Sequence, residues 1–304
     1  MNVADTIAVN VVLPDRGGRY ASHWDAVVVD PDIKTRLLNH ALLAMKLRSA
    51  GVDFTATATH GLIALIGPPG TGKTTLARGA ANSLAAVVAA KRCRLIEVRP
   101  HGLMSAEHGQ SQQAVEELLV EHIPSLAADE LPTVVLLDEV ESMAVARSAA
   151  SLSANPVDVH RATDAVLTAL DTITATASHI IFIVTSNFPD GLDEAFLSRA
   201  DVVIRVPLPS VEALQEILAD TLRHLAAPFP QLAKLADTRA LRRVAERIEG
   251  ADGRQARKLV TAALALKQKT VLDPNTLTIE ALNEAAAALA IEVGPRKGAS
   301  VRAA

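Results

Sequence analysis

The chain has 304 residues, of which 49% are hydrophobic, 21% charged and 2% aromatic, with a formal net charge of −4. A chain of this size and composition can bury the core of one large domain, or of a domain with an appendage. The slightly acidic balance and the lack of a basic run argue against broad, non-specific binding of nucleic acid, so we do not expect a nucleic-acid partner.

The single cysteine and the N-terminal segment indicate the cellular compartment. Cys93 has no partner for an intramolecular disulfide, which fits a reducing environment. Residues 1–18 lack the basic n-region of a signal peptide. No apolar run approaches the roughly 18 residues that span a bilayer. We therefore expect a cytoplasmic protein with no membrane partner.

The first segment along the chain, residues 1–23, is predicted to be a short arm. Its apolar residues partly alternate with polar ones, and it includes Gly17 and Gly18, so we expect an extended segment that lies on another element. From Trp24 onward the pattern changes to helical periodicity, beginning with the acidic and proline residues of "DPDIKTRLLNHALLAMKLR".

Five short apolar runs follow, each about the length of a strand and with no polar alternation inside. Strands that are buried on both faces have this pattern. Helical patterns separate most of the runs, so the sequence predicts a parallel five-stranded sheet with helices on both faces, an α/β fold. The runs are LIALIG (62–67), CRLIEV (93–98), TVVLLDE (133–139), IIFIVTSN (180–187) and VVIRV (202–206).

The C-terminal third is predicted to be all helical. Pro207 and Pro209 end the fifth run, and Leu, Ala, Ile and Val then recur at three- and four-residue spacing. We place a large α/β subdomain at 24–208, a helical subdomain at 209–293 and a flexible tail at 294–304.

The strongest chemical signal is GPPGTGKTT, which fits the phosphate-loop pattern G-x-x-x-x-G-K-[ST] and lies between an apolar run and a helical one. The glycines let backbone N–H groups turn toward phosphate oxygens, and the following helix directs its positive end at the same anion. Lys73 is placed to reach the β- and γ-phosphates, and the Thr74 hydroxyl is a ligand for Mg²⁺. The residues of this predicted phosphate-binding loop are Gly67, Pro68, Pro69, Gly70, Thr71, Gly72, Lys73, Thr74 and Thr75.

Acidic residues end the third apolar run, in VVLLDEVES. The carboxyl ends of parallel strands face the ligand crevice of an open sheet. Asp138 therefore suits the magnesium side of the site, and Glu139 is placed to polarise a water that attacks the γ-phosphate. Alone, the same residues are also compatible with an exposed acidic strand end. We expect Glu141, two residues further on, to be solvated or at an interface.

Three further polar residues are candidates. Asn187 ends the fourth run, where an amide can hold the attacking water or sense the γ-phosphate, although asparagine also commonly caps turns. Arg199 and Arg254 follow at positions where an arginine could supply bidentate hydrogen bonds to a phosphate. Taken singly, each arginine is more simply explained as a surface residue.

Together these motifs resemble an AAA+ P-loop ATPase, and within that group the pachytene-checkpoint branch, whose members remodel HORMA-domain proteins. The resemblance runs from about residue 24 to about residue 290. The stretches DEVESM and SNFPDGLDEAFLSRAD carry most of it, because common AAA+ relatives have a glycine-containing stretch at the second position. The other matching stretches are WDAVVVDPDIKTRLL, GPPGTGKTTL, AVLTALD and GADGRQARKL.

The resemblance implies that the loop from Gly67 to Thr75 binds ATP, and it implies a role for each of the other candidate residues. It makes Asp138 and Glu139 the magnesium-side and catalytic acids, Asn187 the first sensor, Arg199 a finger that reaches the ATP of a neighbouring subunit, and Arg254 a second sensor on the helical lid. Two further family arginines, near the subunit interface, are Arg147 and Arg161.

The resemblance also implies an assembly and a substrate. It implies a homohexamer that uses ATP and Mg²⁺ to pull a flexible end of a HORMA-domain protein into a central pore, which opens the closed HORMA state. Bacterial relatives occur with HORMA proteins and nucleotide-second-messenger synthases in antiphage defence, so a nucleotidyltransferase complexed with the HORMA protein is a further expected partner. Eukaryotic members carry an N-terminal domain that about 23 residues cannot form. We therefore expect direct contact with the HORMA protein.

The stretch HGLMSAEHGQ, residues 101–110, falls at the first pore loop of the family, where relatives are rich in aromatic residues. A zinc site at His101 and His108 is disfavoured by their spacing of seven. A plain surface loop and a substrate-gripping pore loop both remain open. The residues of the predicted pore loop are Met104, Ser105, Ala106, Glu107 and His108.

Two other functions are compatible with the same motifs. One is an AAA+ loader or chaperone that acts on another protein or on a nucleic-acid complex, which the acidic charge disfavours. The other is a scaffold that binds ATP without turnover, and such a protein often lacks the catalytic acid that Glu139 supplies here.

Overall fold

The computed structural model describes residues 7–14, 19–52, 54–98, 110–142, 156–188, 192–236 and 239–293. The chain divides into two compact units between Val206 and Pro207, and Pro69–Gly72 is grouped with the C-terminal unit. Within the described residues, no helix is both long and apolar enough to cross a bilayer.

The N-terminal unit is built on a six-stranded sheet of order β1-β3-β4-β5-β2-β6. The five strands predicted from apolar runs are present, and they pair with one another in parallel. The strands are β1 (Ile7–Val12), β2 (Leu62–Ile66), β3 (Cys93–Val98), β4 (Thr133–Leu137), β5 (Ile180–Ser186) and β6 (Val202–Arg205).

The sixth strand, β1, comes from the segment that the sequence predicted to be an arm. It pairs antiparallel with β3, from Ile7 opposite Val98 to Val12 opposite Cys93. The extended conformation and the docking onto another element agree with the prediction, but the sheet is mixed and not purely parallel. An antiparallel edge strand satisfies the backbone groups of β3 that would otherwise form an open edge.

Helices cover both faces of this sheet. One face packs against a cluster that includes α5 (Gln110–Glu116) and α7 (Pro156–Thr176). The other face packs against α2 (Pro31–Ser49) and α4 (Lys73–Val87). In β2, Leu62, Ala64 and Ile66 face the first cluster, and Ile63 and Leu65 face the second. Both sets are buried, which explains why the strand sequences show no polar alternation. The helices are α1 (Arg19–Ala26), α2 (Pro31–Ser49), α3 (Phe54–Thr57), α4 (Lys73–Val87), α5 (Gln110–Glu116), a π-helix (Glu117–His122), α6 (Ile123–Leu126), a 3₁₀ turn (Val140–Ser142), α7 (Pro156–Thr176) and α8 (Glu194–Ser198).

Arg48, on α2, ties the end of α7 to the start of β5. Its guanidinium donates to the carbonyls of Ile173, Thr174 and Ala177 at the end of α7, and to the carbonyl of Ile180 in β5. The last carbonyls of a helix have no partner within the helix, so a cation there satisfies them and opposes the negative end of the helix dipole. This contact fixes the chain direction between the two elements.

The C-terminal unit is helical. Helix α9 (Val211–Leu225) packs against α11 (Arg239–Arg247) and α12 (Gly253–Ala265). Helix α14 (Ile279–Val293) packs against the same two helices. Ser210 caps α9, and Asp252 caps α12 in a reciprocal pair with Gln255. The helices are α9 (Val211–Leu225), α10 (Ala233–Ala236), α11 (Arg239–Arg247), α12 (Gly253–Ala265), α13 (Gln268–Leu272) and α14 (Ile279–Val293), with short 3₁₀ turns at Pro230–Leu232 and Pro274–Thr276.

Candidate active site

The predicted phosphate loop leaves β2 at Gly67 and enters α4 at Lys73. The Gly67 N–H donates to the carbonyl of Ser186, 3.2 Å away at the end of β5. At φ +155° a Cβ on Gly67 would lie 2.1 Å from the carbonyl oxygen of Val206, so only glycine fits between the strand ends. The loop therefore begins at the carboxyl edge of the sheet.

The loop tip is also fixed in a conformation that requires glycine. Gly70 has φ +80°, and a Cβ there would lie 2.2 Å from Cγ of Asp252, the residue that caps α12. Residues Pro69–Gly72 belong to the same unit as Asp252. A side chain at Gly70 would therefore strain the backbone and displace the cap.

Lys73 is held by three hydrogen bonds. Its ammonium donates to the carbonyls of Gly67 and Pro68 and to Oδ1 of Asn187, each at 2.8 Å. Burial lowers the pKa of Lys73, and the neighbouring carboxylates, Glu141 first, oppose that shift. The cation is thus placed at the loop with polar partners that a phosphate group could replace.

Asp138, just past the end of β4, accepts two short hydrogen bonds on the same oxygen, Oδ1. Thr74 Oγ1 on α4 and Thr185 Oγ1 in β5 each lie 2.6 Å from it. The two residues predicted as magnesium ligands, Thr74 and Asp138, therefore lie in direct contact. A hydroxyl beside a carboxylate is a donor set of the kind that Mg²⁺ prefers.

Glu139 has a left-handed backbone conformation with φ +57°, which is uncommon for a residue with a side chain. Its N–H donates to Thr185 Oγ1 at 3.0 Å, and its Oε1 accepts from Nδ2 of Asn187 at 3.3 Å. Such conformations cluster at functional sites because the surrounding structure must hold them. Here Thr185 holds the backbone and Asn187 holds the carboxylate.

Asn187 joins the lysine and the acids in one network. Its side chain accepts from Lys73 and donates to Glu139, and its backbone N–H donates to Oε1 of Glu141 at 3.2 Å. The other oxygen of Glu141 is buried and has no hydrogen-bond partner among the described residues. Glu141 therefore belongs to this cluster, and the expectation that its carboxylate is solvated is wrong. The alternative that it lies at an interface stays a prediction.

Thr185 and Glu141 are the two cluster members that sequence reasoning did not identify. Thr185 is 1% exposed, and its signal in the sequence was a polar residue near the end of an otherwise apolar run. The signal for Glu141 was its position two residues after Glu139. The 3₁₀ turn Val140–Ser142 brings it back against Asn187.

One predicted arginine lies at the end of α8 and the other in α12. Arg199 follows α8, and among the described residues its hydrogen bonds go to Asp171 and to the carbonyl of Ala195. Arg254 is exposed in the first turn of α12. Arg161 lies in α7, whereas Arg147 and the predicted pore loop, Met104 to His108, lie outside the described residues.

Sequence similarity to known proteins shows the family to which the chain belongs. Residues 63–208 match the model of the ATPase family associated with various cellular activities (AAA). The chain is 46% identical over 273 residues to CD-NTase-associated protein 6 of Pseudomonas aeruginosa, covering 90% of this chain and 88% of that protein. It is 31% identical over 302 residues to the dog pachytene checkpoint protein 2 homologue, covering 92% of this chain and 68% of that protein.

The chain belongs to the pachytene-checkpoint branch of the AAA family.

Two solved structures support the fold of this pachytene-checkpoint AAA protein. The structure of C. elegans PCH-2 has a TM-score of 0.73 and 25% identity, covering 93% of this chain and 75% of that one. The structure of an E. coli MS115-1 HORMA:CdnC:Trip13 complex has a TM-score of 0.72 and 17% identity, covering 94% and 96%. The expected α/β AAA+ fold is confirmed.

The residues of this AAA domain fit ATP with Mg²⁺, which the family generally binds. Lys73 supplies a cation at the loop, and the loop leads directly into the N-terminus of the 15-residue helix α4. Thr74 and Asp138, which lie in hydrogen-bond contact, would hold the metal through a hydroxyl and a carboxylate oxygen. The bound metal would neutralise charge on the phosphates.

Proposed function

We propose that this protein is an ATP-hydrolysing motor that works as a homohexameric ring and opens a closed HORMA-domain protein. The network centred on Asn187 supports this proposal most strongly, because it links Lys73, the proposed phosphate-binding cation, to Glu139, the proposed catalytic base. A protein that only bound ATP would not need an acid held in a strained backbone conformation beside the sensor.

In the proposed reaction each residue has one role. Glu139 accepts a proton from the attacking water, and Asn187 orients that water relative to the γ-phosphate. Lys73 exchanges its carbonyl and amide partners for β- and γ-phosphate oxygens when ATP binds. Asn187 then loses its bond from the lysine, which couples its orientation to the presence of the γ-phosphate.

The two arginines complete the proposed site in an assembled ring. Arg199 reaches the γ-phosphate of the neighbouring subunit, where its charge stabilises the transition state. Arg254, in the first turn of α12, acts as a second sensor from the helical lid. A finger that acts on a neighbour makes turnover depend on assembly.

The substrate is proposed to be a HORMA-domain protein bound to a nucleotidyltransferase. The support is the name of the 46% identical relative, which refers to association with a CD-NTase, and the HORMA:CdnC:Trip13 complex that shares this fold. Opening the HORMA protein would dissociate that complex and switch off second-messenger signalling in antiphage defence. Residues Met104 to His108 are proposed to grip the substrate in the pore through Met104, backbone contacts and the polar pair Glu107–His108.

Co-purification of the Glu139→Gln protein with the products of its neighbouring genes tests the proposed substrate. This variant binds ATP without turning it over, so it should retain a HORMA protein that the unsubstituted protein releases. The matched control is Lys73→Ala, which removes the phosphate-binding cation and should retain nothing in ATP. Equal amounts of HORMA protein on both variants, or none on either, would contradict an ATP-dependent grip on this substrate.

The predicted pore loop is tested separately. Met104→Ala, or joint substitution of Glu107 and His108, should stop opening of the HORMA protein and leave basal ATP hydrolysis intact. Normal remodelling by both variants would favour a plain surface loop at this position.

A further inference from the structure

Arg199 is held in a defined position by an acidic residue on a neighbouring helix. Its Nε and Nη2 donate to Oδ1 and Oδ2 of Asp171, on α7, each at 2.9 Å. Nη1 donates to the carbonyl of Ala195 at 3.1 Å. The guanidinium is thus held on two sides, by the Asp171 side chain on α7 and by the Ala195 carbonyl in α8.

This arrangement leaves part of the guanidinium unused. An arginine has five N–H groups, of which the bidentate pair and the Ala195 carbonyl take three. Among the described residues, one N–H therefore remains on each terminal nitrogen. Two N–H groups on adjacent nitrogens are the fork that binds phosphate oxygens. Asp171 thus holds Arg199 through Nε and Nη2 and leaves N–H groups on the terminal nitrogens that can donate to a phosphate oxygen.

The pair faces an open space. A pocket of about 400 Å³ is lined by both members of the pair and by neighbours on α7, on α8 and before β2, namely His60, Thr174, Ala175 and Ser198. His60 Nε2 lies 3.6 Å from Asp171 Oδ1, and Asp201 accepts from the backbone N–H groups of His60 and Gly61 at 2.7 and 2.9 Å. The side of the pocket that carries His60, the neighbour of Asp171, is therefore anchored to the residue just before β6.

We propose that Asp171 is a positioning residue for Arg199, which keeps the guanidinium directed toward the ATP of the neighbouring subunit. This inference rests on the proposed role of Arg199 as a finger. Arginine has many rotamers, and a guanidinium that lies about 1 Å from its productive position at the phosphate can cost about 100-fold in rate. A carboxylate that fixes the guanidinium in advance removes this loss and does not contact the substrate itself.

The first test compares Asp171→Asn with a matched control. Asp129→Asn breaks another bidentate pair in the same unit, in which Arg94 donates to both oxygens of Asp129 at 2.6 and 2.7 Å. Asp171→Asn should lower kcat for ATP hydrolysis by about 10- to 100-fold with little change in KM. Asp129→Asn should leave both constants close to those of the unsubstituted protein. Faster hydrolysis by Asp171→Asn would mean that Asp171 restrains Arg199, which overturns the inference.

The second test uses mixed rings to separate positioning of Arg199 from a general structural role. Glu139→Gln subunits cannot hydrolyse ATP but retain Arg199, and Arg199→Ala subunits lack the arginine but retain Glu139. Mixing them should restore hydrolysis, because each Arg199→Ala site can receive the arginine of a Glu139→Gln neighbour. Asp171→Asn should reduce this recovery about 10-fold or more when it is added to the Glu139→Gln subunit. It should have no effect when it is added to the Arg199→Ala subunit.

The outcomes distinguish the two claims. Equal loss from both placements would assign Asp171 a structural role and overturn the inference alone. Absence of recovery in the parent mixture would remove the proposed action of Arg199 on a neighbouring subunit, and the inference with it.

Discussion

The hydroxyl of Thr185 connects the two acids of the site, and its removal is the most informative single change. Thr185→Val keeps the shape of the side chain and removes only the hydroxyl. In the protein this hydroxyl donates to Oδ1 of Asp138 at 2.6 Å and accepts from the N–H of Glu139 at 3.0 Å. Asp138 keeps its second bond, from Thr74, but the N–H of Glu139 loses the hydroxyl as an acceptor.

The expected cost follows from these two bonds. A hydrogen bond to a charged group contributes about 1.5–3 kcal/mol, and a hydrogen bond between neutral groups contributes about 0.5–1.5 kcal/mol. The methyl group of valine fills the position of the hydroxyl in a site that is 1% exposed, which offsets part of the loss. We expect the free energy of unfolding to fall by about 2–4 kcal/mol, which is roughly 30- to 700-fold in the unfolding equilibrium.

Urea unfolding followed by tryptophan fluorescence measures this change in the N-terminal unit alone. The chain has one tryptophan, Trp24, which packs against the core on the α2–α4 side of the sheet. The matched control is Thr172→Val, which removes an exposed hydroxyl that donates to a carbonyl within α7 at 2.9 Å. We also expect kcat for ATP hydrolysis to fall by about 10- to 100-fold, because both acids lose a fixed position. A change below about 0.5 kcal/mol, equal to that of Thr172→Val, with unchanged turnover, would refute the reasoning.

Three further predictions follow from the geometry. Gly70→Ala should destabilise the C-terminal unit by about 2 kcal/mol in urea unfolding, because it combines a left-handed φ with displacement of the Asp252 cap. The shorter capping residue of Asp252→Ser should recover part of the loss. An unaltered urea midpoint for Gly70→Ala alone would exclude the close contact between residue 70 and Asp252. Hydrogen bonding from its arginine partner lowers the pKa of Asp171 from 3.8, so the stability that it contributes is full above about pH 5 and is lost as the pH falls through the lowered pKa. The difference in unfolding free energy between the protein and Asp171→Asn should shrink in that acidic range, and a difference that is constant with pH would argue against the pair. Glu141→Gln removes a charge that raises the pKa of Lys73, so ATP binding should be lost at a lower alkaline pH than in the unsubstituted protein. Identical curves of ATP affinity against pH for the two proteins would show that this carboxylate does not act on Lys73.

The parallel strands and the phosphate loop could be predicted because their signals are local. Strands that are buried on both faces must be apolar throughout, and the loop needs glycines at fixed spacing before a helix. The same holds for Asp138 and Glu139, since a polar residue that ends a buried strand lies at the carboxyl edge of the sheet. The sequence also showed where Asn187 lies, but not that its amide links Lys73 to Glu139.

The parts that could not be predicted depend on contacts between residues far apart in the chain. Strand β1 has a weak local pattern, and its place is decided by the free edge of β3. Glu141 resembles a surface acid until the 3₁₀ turn brings it against Asn187, 46 residues away. The partner of Arg199, Asp171, is 28 residues away on another helix, and no spacing rule connects them.

Steady-state ATP hydrolysis by the protein and by Glu139→Gln tests the central claim most directly, when ATP binding is measured on the same samples. Glutamine keeps an oxygen that can accept from Asn187 and removes only the charge and the basicity of the carboxylate. We predict that kcat falls by about 100-fold or more while the Kd for ATP changes by less than about threefold. Hydrolysis at equal rates by both proteins would show that Glu139 is not the catalytic base and would contradict the proposed motor mechanism.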